Sequence, residues 1–288
     1  MHLEKQQVSR YTSSYQVFRK EIALLLFLII PIFAWSSTGY QRIVSLTPSL
    51  TQNLYYLEVQ NRLVGCTSYC VAAKLDNKII VASALKPNIE KIVGLKPDLV
   101  LASGLTSPKD VAILRKLGIR VEVFFTPKSF DEICLHFERL AKLTGQTTKA
   151  ASVLAEAKAK VRLFQFKLKK ASVKPKVFMQ IGSSPIFSVL PNTFMQDYIT
   201  YCGGVNIGND LKGGTIGREL VVARNPDYIF IVSMDMMGDD EKAQWNKFSH
   251  MEAVKKNQIF ILDANMACQP TPITFVQTIE TIAKYMKL

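Results

Sequence analysis

NIEKIVGLKPDLVLAS, residues 88–103, and GRELVVARNPDYIFIVS, residues 217–233, are two versions of one phrase. Pro97 and Pro226 stand 129 positions apart, and at that offset Asp98 falls on Asp227 and Glu90 on Glu219. Each copy runs from an acidic residue through an apolar stretch and a basic residue to Pro-Asp and a β-rich run. After the aspartates the final runs, LVLA and YIFIV, are continuously apolar, as strands buried on both faces of a parallel sheet are. Two copies in one chain predict two related α/β halves.

Strand and helix patterns alternate around both copies. In the first half, 42–46, 63–68, 98–102 and 119–125 read as strands. Thr47-Pro48-Ser49 opens a helix to Leu57, Asn88 caps a short helix to Gly94, and 107–118 and 129–145 read as helices, the last stopped by glycine. In the second half, 176–182, 228–232 and 258–263 are strand candidates, and 193–204, 218–223 and 272–287 helix candidates. Such alternation predicts an open α/β sheet in each half.

One stretch breaks the pattern. Thr147–Ser172 has no glycine or proline and six alanines, so it favours helix throughout. About 25 residues at 1.5 Å each make a rod of nearly 40 Å. Val153, Leu154, Ala157, Val161 and Phe164 form its apolar stripe. The expected organisation is an α/β lobe over 40–145, a linking helix over 146–172 and a second α/β lobe over 173–288. A length of 288 residues has room for these two domains.

The N-terminus reads differently. Arg10, Arg19 and Lys20 precede the apolar run Ile22–Trp35, followed by SSTG, the order of a secretory signal. The run is too short to span a bilayer with ease and is interrupted by Pro31. Ala34-Trp35-Ser36 resembles a cleavage site, so residues 1–36 are read as a signal peptide cleaved near Ser36 and the mature chain as periplasmic. Kept in place, the same run would be an anchor.

The formal net charge is +13, or +11 without residues 1–36, which carry four basic and two acidic groups. The basic residues are scattered, with only Lys167–Lys170 as a cluster, so no nucleic-acid partner is expected. Cys66 and Cys70, four apart, have the spacing to bridge across a turn; none of the five cysteines has CxxC spacing. Of the three histidines, His2 lies in the signal, His136 in an amphipathic helix as a surface or core residue, and His250 stands alone. No metal site or cofactor is expected from that set. Phosphate-loop, nucleophile-elbow and zinc-protease motifs are all missing, so an exported enzyme is the weaker reading.

Glu90 near the Asn88 cap and Glu219 beside Arg218 both suit a helix dipole. Repeated at one register, they also suit docking onto a symmetric dimer that presents basic pockets.

Four stretches together resemble the class III substrate-binding proteins of ABC importers, the receptors for cobalamin, haem and ferric siderophores. They are RIVSLTPSLTQNLYYLEVQNRLVGCTSYC (42–70), PNIEKIVGLKPDLVLA (87–102), LRKLGIRV (114–121) and GRELVVARNPDYIFIV (217–232). With the long helix, the likeness covers about residues 40–288. It implies two Rossmann-like α/β lobes joined by one rigid helix, a ligand cleft between them, and a monomer whose Glu90 and Glu219 engage arginines of a permease dimer. VGCTSYC and FMQIGSSPIF bring it nearest to the cobalamin-binding members. Carried over, Tyr69 faces the cleft, Phe187 flanks the ligand and Asp263 sits at the rim. Trp245 and Met266, at expected loops or helix starts, are further ligand candidates. Two positions depart from that pattern: Ser83 or Ala84 replaces an aromatic, and QPTPI (269–273) lacks an arginine. The remaining alternatives are a haem or siderophore receptor and a membrane-anchored sensory module.

Overall fold

A computed structural model describes residues 39–83, 86–168, 174–233 and 237–288. The expected signal segment, Ala84 and residues 169–172 of the predicted helix lie outside the described residues. The first sheet holds β1 (Ile43–Ser45), β2 (Leu63–Thr67), β3 (Ile79–Ala82), β4 (Leu99–Ser103) and β5 (Val121–Phe124). They run parallel in the order β3-β2-β1-β4-β5. Between them lie α1 (Pro48–Tyr56), α2 (Val71–Leu75), α3 (Ile89–Gly94) and α4 (Pro108–Lys116), and α5 (Phe130–Thr144) follows β5.

The chain then enters α6 (Thr147–Leu168), 22 residues or about 33 Å. The second sheet contains β6 (Lys176–Ile181), β7 (Phe187–Ser188), β8 (Val205–Asn206), β9 (Tyr228–Ser233) and β10 (Ile259–Asp263). Its order is β10-β9-β6-β7, with β8 also on β6; β7 alone is antiparallel. Its helices are α7 (Phe194–Tyr201), α8 (Arg218–Arg224), α9 (Met237–Asn246), α10 (Glu252–Lys255), α11 (Ala264–Ala267) and α12 (Pro272–Tyr285).

Local chemistry sets the boundaries. Ser129 and Asn88 accept hydrogen bonds from the third backbone N–H of α5 and α3, and Gly145 ends α5 in the left-handed region (φ 71°). Thr271 and Thr274 form a reciprocal capping box at α12.

The repeated phrase is repeated in three dimensions. Asp98 accepts from the backbone N–H of Arg42 and returns its own N–H to the Arg42 carbonyl. Asp227 does the same with Lys176. Each aspartate therefore pins the start of its sheet's first strand beside the strand that the Pro-Asp introduces. The Arg42 guanidinium caps the Leu95 carbonyl and the Lys176 ammonium caps that of Arg224, again 129 positions on. Lys96 and Asn225, also equivalent, both turn through positive φ (47° and 46°).

The core is shared between the halves. One buried cluster takes in Leu54, Leu101 and Phe137 from the first half and Tyr198, Phe230 and Phe275 from the second. Leu154, Ala157 and Val161 of α6 are buried in it, with Val153 and Phe164 packed against it, so the predicted stripe is the contact face. Phe275 lies 4.6 Å from Phe130 and 4.7 Å from Tyr198, ring centre to ring centre. The Phe130 N–H donates to Asp197 Oδ2 at 2.8 Å, from α5 to α7. Smaller clusters around Val100 and Ile92, and around Phe178 and Trp245, fill the other faces of the two sheets.

Candidate ligand cleft

In open α/β sheets ligands sit beyond the carboxyl ends of the strands, where the strand order reverses. In the first sheet that point lies between β1 and β4, and the loops after both strands line a cavity of about 270 Å³. Leu46–Ser49 and Ser103–Thr106 form one side, Phe124–Pro127 another, and Phe194 with Gln269 and Pro270 from the second half close it. A second cavity of about 500 Å³ opens beside it, with Pro48, Cys268 and Gln269 as shared walls. Thr67 and Tyr69 face Ile181–Ser183, Ile231–Ser233, Met237 and Glu241 across this outer chamber. The two together form one cleft between the halves.

Apolar surface dominates its mouth. Tyr69 is 47% exposed, Leu105 71% and Phe125 72%, large side chains left uncovered around one opening. Charge is scarce. Among the described residues no Lys or Arg lines either cavity, and the one carboxylate, Glu241, is already paired. Its Oε2 accepts from Arg218 at 2.5 Å and from Gln180 Nε2 at 2.8 Å. Gln180 Oε1 in turn accepts from Trp245 Nε1 at 2.6 Å, and the Arg218 guanidinium lies 4.6 Å over the Trp245 ring. This closed circuit pairs the one formal charge that the described residues place in the wall.

The sequence-predicted residues fall in different places. Tyr69 lines the outer chamber. Phe187, 40% exposed, pairs across the antiparallel ladder with Ile181, a wall residue, but is itself outside both cavity walls. Asp263 is exposed at the end of β10, where its carboxylate accepts the Asn265 N–H and starts α11. Met266, half-buried on α11, lies outside both cavity walls. Trp245 corrects its expectation: it is fully buried near the end of α9, edge-on to Phe178, with no surface to offer a ligand. Glu90 and Glu219 are both exposed in the first turns of α3 and α8, the equivalent helices of the two halves. Ser83 and Gln269, at the two positions that depart from the cobalamin-binding pattern, both line the cleft.

Several wall residues carry no such signal in the sequence. His136 lines the inner cavity, edge-on to Phe124 at 5.5 Å, and burial lowers its pKa. Asn53 lies inside an ordinary amphipathic stripe of α1, yet it faces the same cavity. The cysteines are free: Cys66, Cys70, Cys134 and Cys202 are buried and Cys268 is exposed in the cleft wall. Cys66 and Cys70 are separate thiols, with Cys70 Sγ hydrogen-bonded to the hydroxyls of Thr51 and Thr67. Among the described residues no group of three potential metal ligands converges, and no helix is long and apolar enough to cross a membrane.

This architecture, two α/β halves with a cleft at their switch points, is that of a solute receptor. The chain belongs to the periplasmic binding protein family, whose model matches residues 43–266. It is 28% identical to the vitamin B12-binding protein of Vibrio cholerae serotype O1, over 86% of this chain and 90% of that one. The crystal structure of the periplasmic vitamin B12-binding protein BtuF of Vibrio cholerae superposes with a TM-score of 0.74 at 25% identity, covering 86% of this chain and 97% of the other. The periplasmic haem-binding protein HutB of the same organism shares the fold, with a TM-score of 0.77 at 16% identity over 86% and 99% of the two chains.

Proposed function

We propose that this protein is the solute receptor of an ABC importer for a corrinoid of the cobalamin type. The observation that carries the reading is that the described residues place no unpaired charge in the cleft walls. Haem carries two propionates, and many ferric siderophores carry net negative charge; burying either against these walls would leave anions without a counter-ion, which costs several kcal/mol. A corrinoid presents methyl groups and neutral amides, which match the exposed apolar mouth and the hydroxyl and amide groups within. Relatedness to vitamin B12-binding proteins over most of the chain supports the same choice.

The lobes span 40–145 and 173–288 and are joined by the helix predicted over 146–172. Residues 1–36 act as a signal removed near Ser36, and the mature protein is a periplasmic monomer. Tyr69 and Phe187 stack on the ligand from opposite lobes, with Asp263 and Met266 as outlying contacts at the rim. Glu90 and Glu219 dock onto a permease dimer. Capture and release involve no bond making, so the protein is not an enzyme. Because the two halves share one core, lobe motion on binding is small compared with receptors joined by flexible strands.

Calorimetric titration with cobalamin, haem and a ferric siderophore in parallel tests this. Saturable one-to-one binding of cobalamin alone is the expected result. Binding of haem or siderophore without cobalamin would overturn the ligand and keep the receptor; silence from all three would favour the sensory alternative.

A further inference from the structure

Of the described residues that line the outer chamber, Glu241 alone has a formally charged side chain. Its partner Arg218 stands outside that wall, at the start of α8. The Arg218 Nη2 donates to Glu241 Oε2 at 2.5 Å, while Nη1 is buried with no acceptor among the described residues. The two side chains keep only 24% and 12% of their surface. A pair so placed has given up most of its hydration for one good bond, so it adds little to stability. An uncharged amide facing an apolar side chain would fill the same space without that cost. What the pair does control is the electrical potential inside the chamber.

Buried neighbours hold both charges in place. Trp245 Nε1 can only donate, so it takes Gln180 Oε1 and turns the amide nitrogen to the Gly182 carbonyl and to Glu241 Oε2. Gln180 and Trp245 are both fully buried, and the Arg218 guanidinium lies over the Trp245 ring. The chamber has a volume of about 500 Å³. A sphere of that volume is about 10 Å across, and at that distance, with an effective dielectric of ~20, one uncancelled charge on the wall changes the affinity for a charged ligand about tenfold. With Arg218 behind the carboxylate, the two contributions oppose each other.

We propose that Arg218 is a specificity-determining residue of the outer chamber: by cancelling Glu241 it removes ligand charge as a basis for selection, so that neutral and cationic forms of one corrinoid are both taken. Arg218 touches Glu241 rather than the cavity, so it is a positioning residue. The inference rests on the corrinoid reading, since corrinoids change charge with their axial ligand. With cyanide on the cobalt, cobalamin is neutral; with water there, it carries one positive charge.

The test titrates wild type and its variants with cyanocobalamin and aquacobalamin at low salt and mildly acidic pH. Each affinity ratio is referred to that of wild type, which cancels any exchange of the axial water common to all the proteins. Arg218→Gln should move the ratio about tenfold towards the aqua form, and Glu241→Gln about tenfold towards the cyano form. The double variant should return to the wild-type ratio, as should Arg218→Lys, and added salt should shrink both shifts. Opposite signs separate charge from packing, because a merely structural loss weakens both corrinoids together. If one single variant does not fold, the sign of the shift in the other still decides. An unchanged ratio in the folded variants, or two shifts of the same sign, overturns the inference and leaves the corrinoid reading intact. Failure of the wild type to bind either corrinoid overturns both.

Discussion

Phe275→Ala probes whether the two halves are one folding unit. Phe275 is fully buried on α12 and its ring packs on Phe130 of α5, in the first half, and on Tyr198 and Tyr201 of α7, in the second. Removing a buried phenyl ring costs about 3–5 kcal/mol through lost transfer energy and the cavity left behind. In a chain of this size each kcal/mol lowers the melting temperature by about 2–4 °C, so the variant should melt about 6–20 °C below wild type. Scanning calorimetry should show one transition in both proteins, moved as a whole. The Phe130 N–H bond to Asp197 and the buried cluster shared by both halves tie the two sheets together, the smaller cluster on each sheet's other face notwithstanding. Two resolved transitions, of which the substitution moves only one, would refute the shared core and with it the argument for small lobe motion.

Three further predictions follow from the surface and the cleft. Glu90→Arg with Glu219→Arg should leave ligand affinity and melting within about 0.5 kcal/mol of wild type, because both side chains are exposed, while uptake by cells or vesicles carrying the permease is lost; normal uptake would remove the docking role. His136 has a folded pKa below its unfolded value near 6.5, so its contribution to stability is complete above that pH and is lost as pH falls below it. Wild type should therefore lose more melting temperature between pH 7 and 5.5 than His136→Gln does, and parallel curves would contradict the burial argument. Cys268 is the one cysteine of the five that is exposed as a residue, in the wall shared by both chambers, yet protein surrounds most of its sulfur and pushes its pKa up to about 11. Alkylation at pH 8.5 should be slow and slowed further by saturating cobalamin; equal labelling rates would put the ligand elsewhere.

What was legible in the sequence was whatever is periodic or repeated. The strands of both Pro-Asp copies, the capped helices and the α6 stripe each impose a local pattern that packing then obeys. β3, β7, β8, α2 and the short helices after β9 were not legible, because runs of two to five residues, such as Phe187–Ser188 and Ala264–Ala267, carry no period to count. α9, though ten residues long, is polar around most of its surface and shows no apolar stripe. Of the cleft walls, Tyr69 was reached through the resemblance to the receptor family, and Ser83 and Gln269 as departures from its pattern. The polar floor of the cleft is assembled from loops after three strands, one helix N-terminus and the QPTPI turn, and no window of sequence spans those. Trp245 misled for a related reason. An indole near a loop suggests stacking, but here it satisfies the Gln180 amide and covers the outer face of the second sheet.

The circuit around Trp245 gives the charge pattern of the site its meaning. Glu241 is a carboxylate in a wall that faces the cleft, and without a partner it would make the outer chamber favour cations. Arg218 cancels it from behind, held over the Trp245 face, while Gln180 fixes the remaining geometry through both halves of its amide. Among the described residues the cleft's neutrality is thus built by pairing rather than by omission, and the pairing depends on four residues scattered from 180 to 245. Arg218 also stands next to Glu219 at the start of α8, so the helix that carries the exposed glutamate is anchored to the ligand wall by its first residue. One local arrangement therefore sets both the polarity that suits an uncharged chelate and the position of the acidic tip that faces outward.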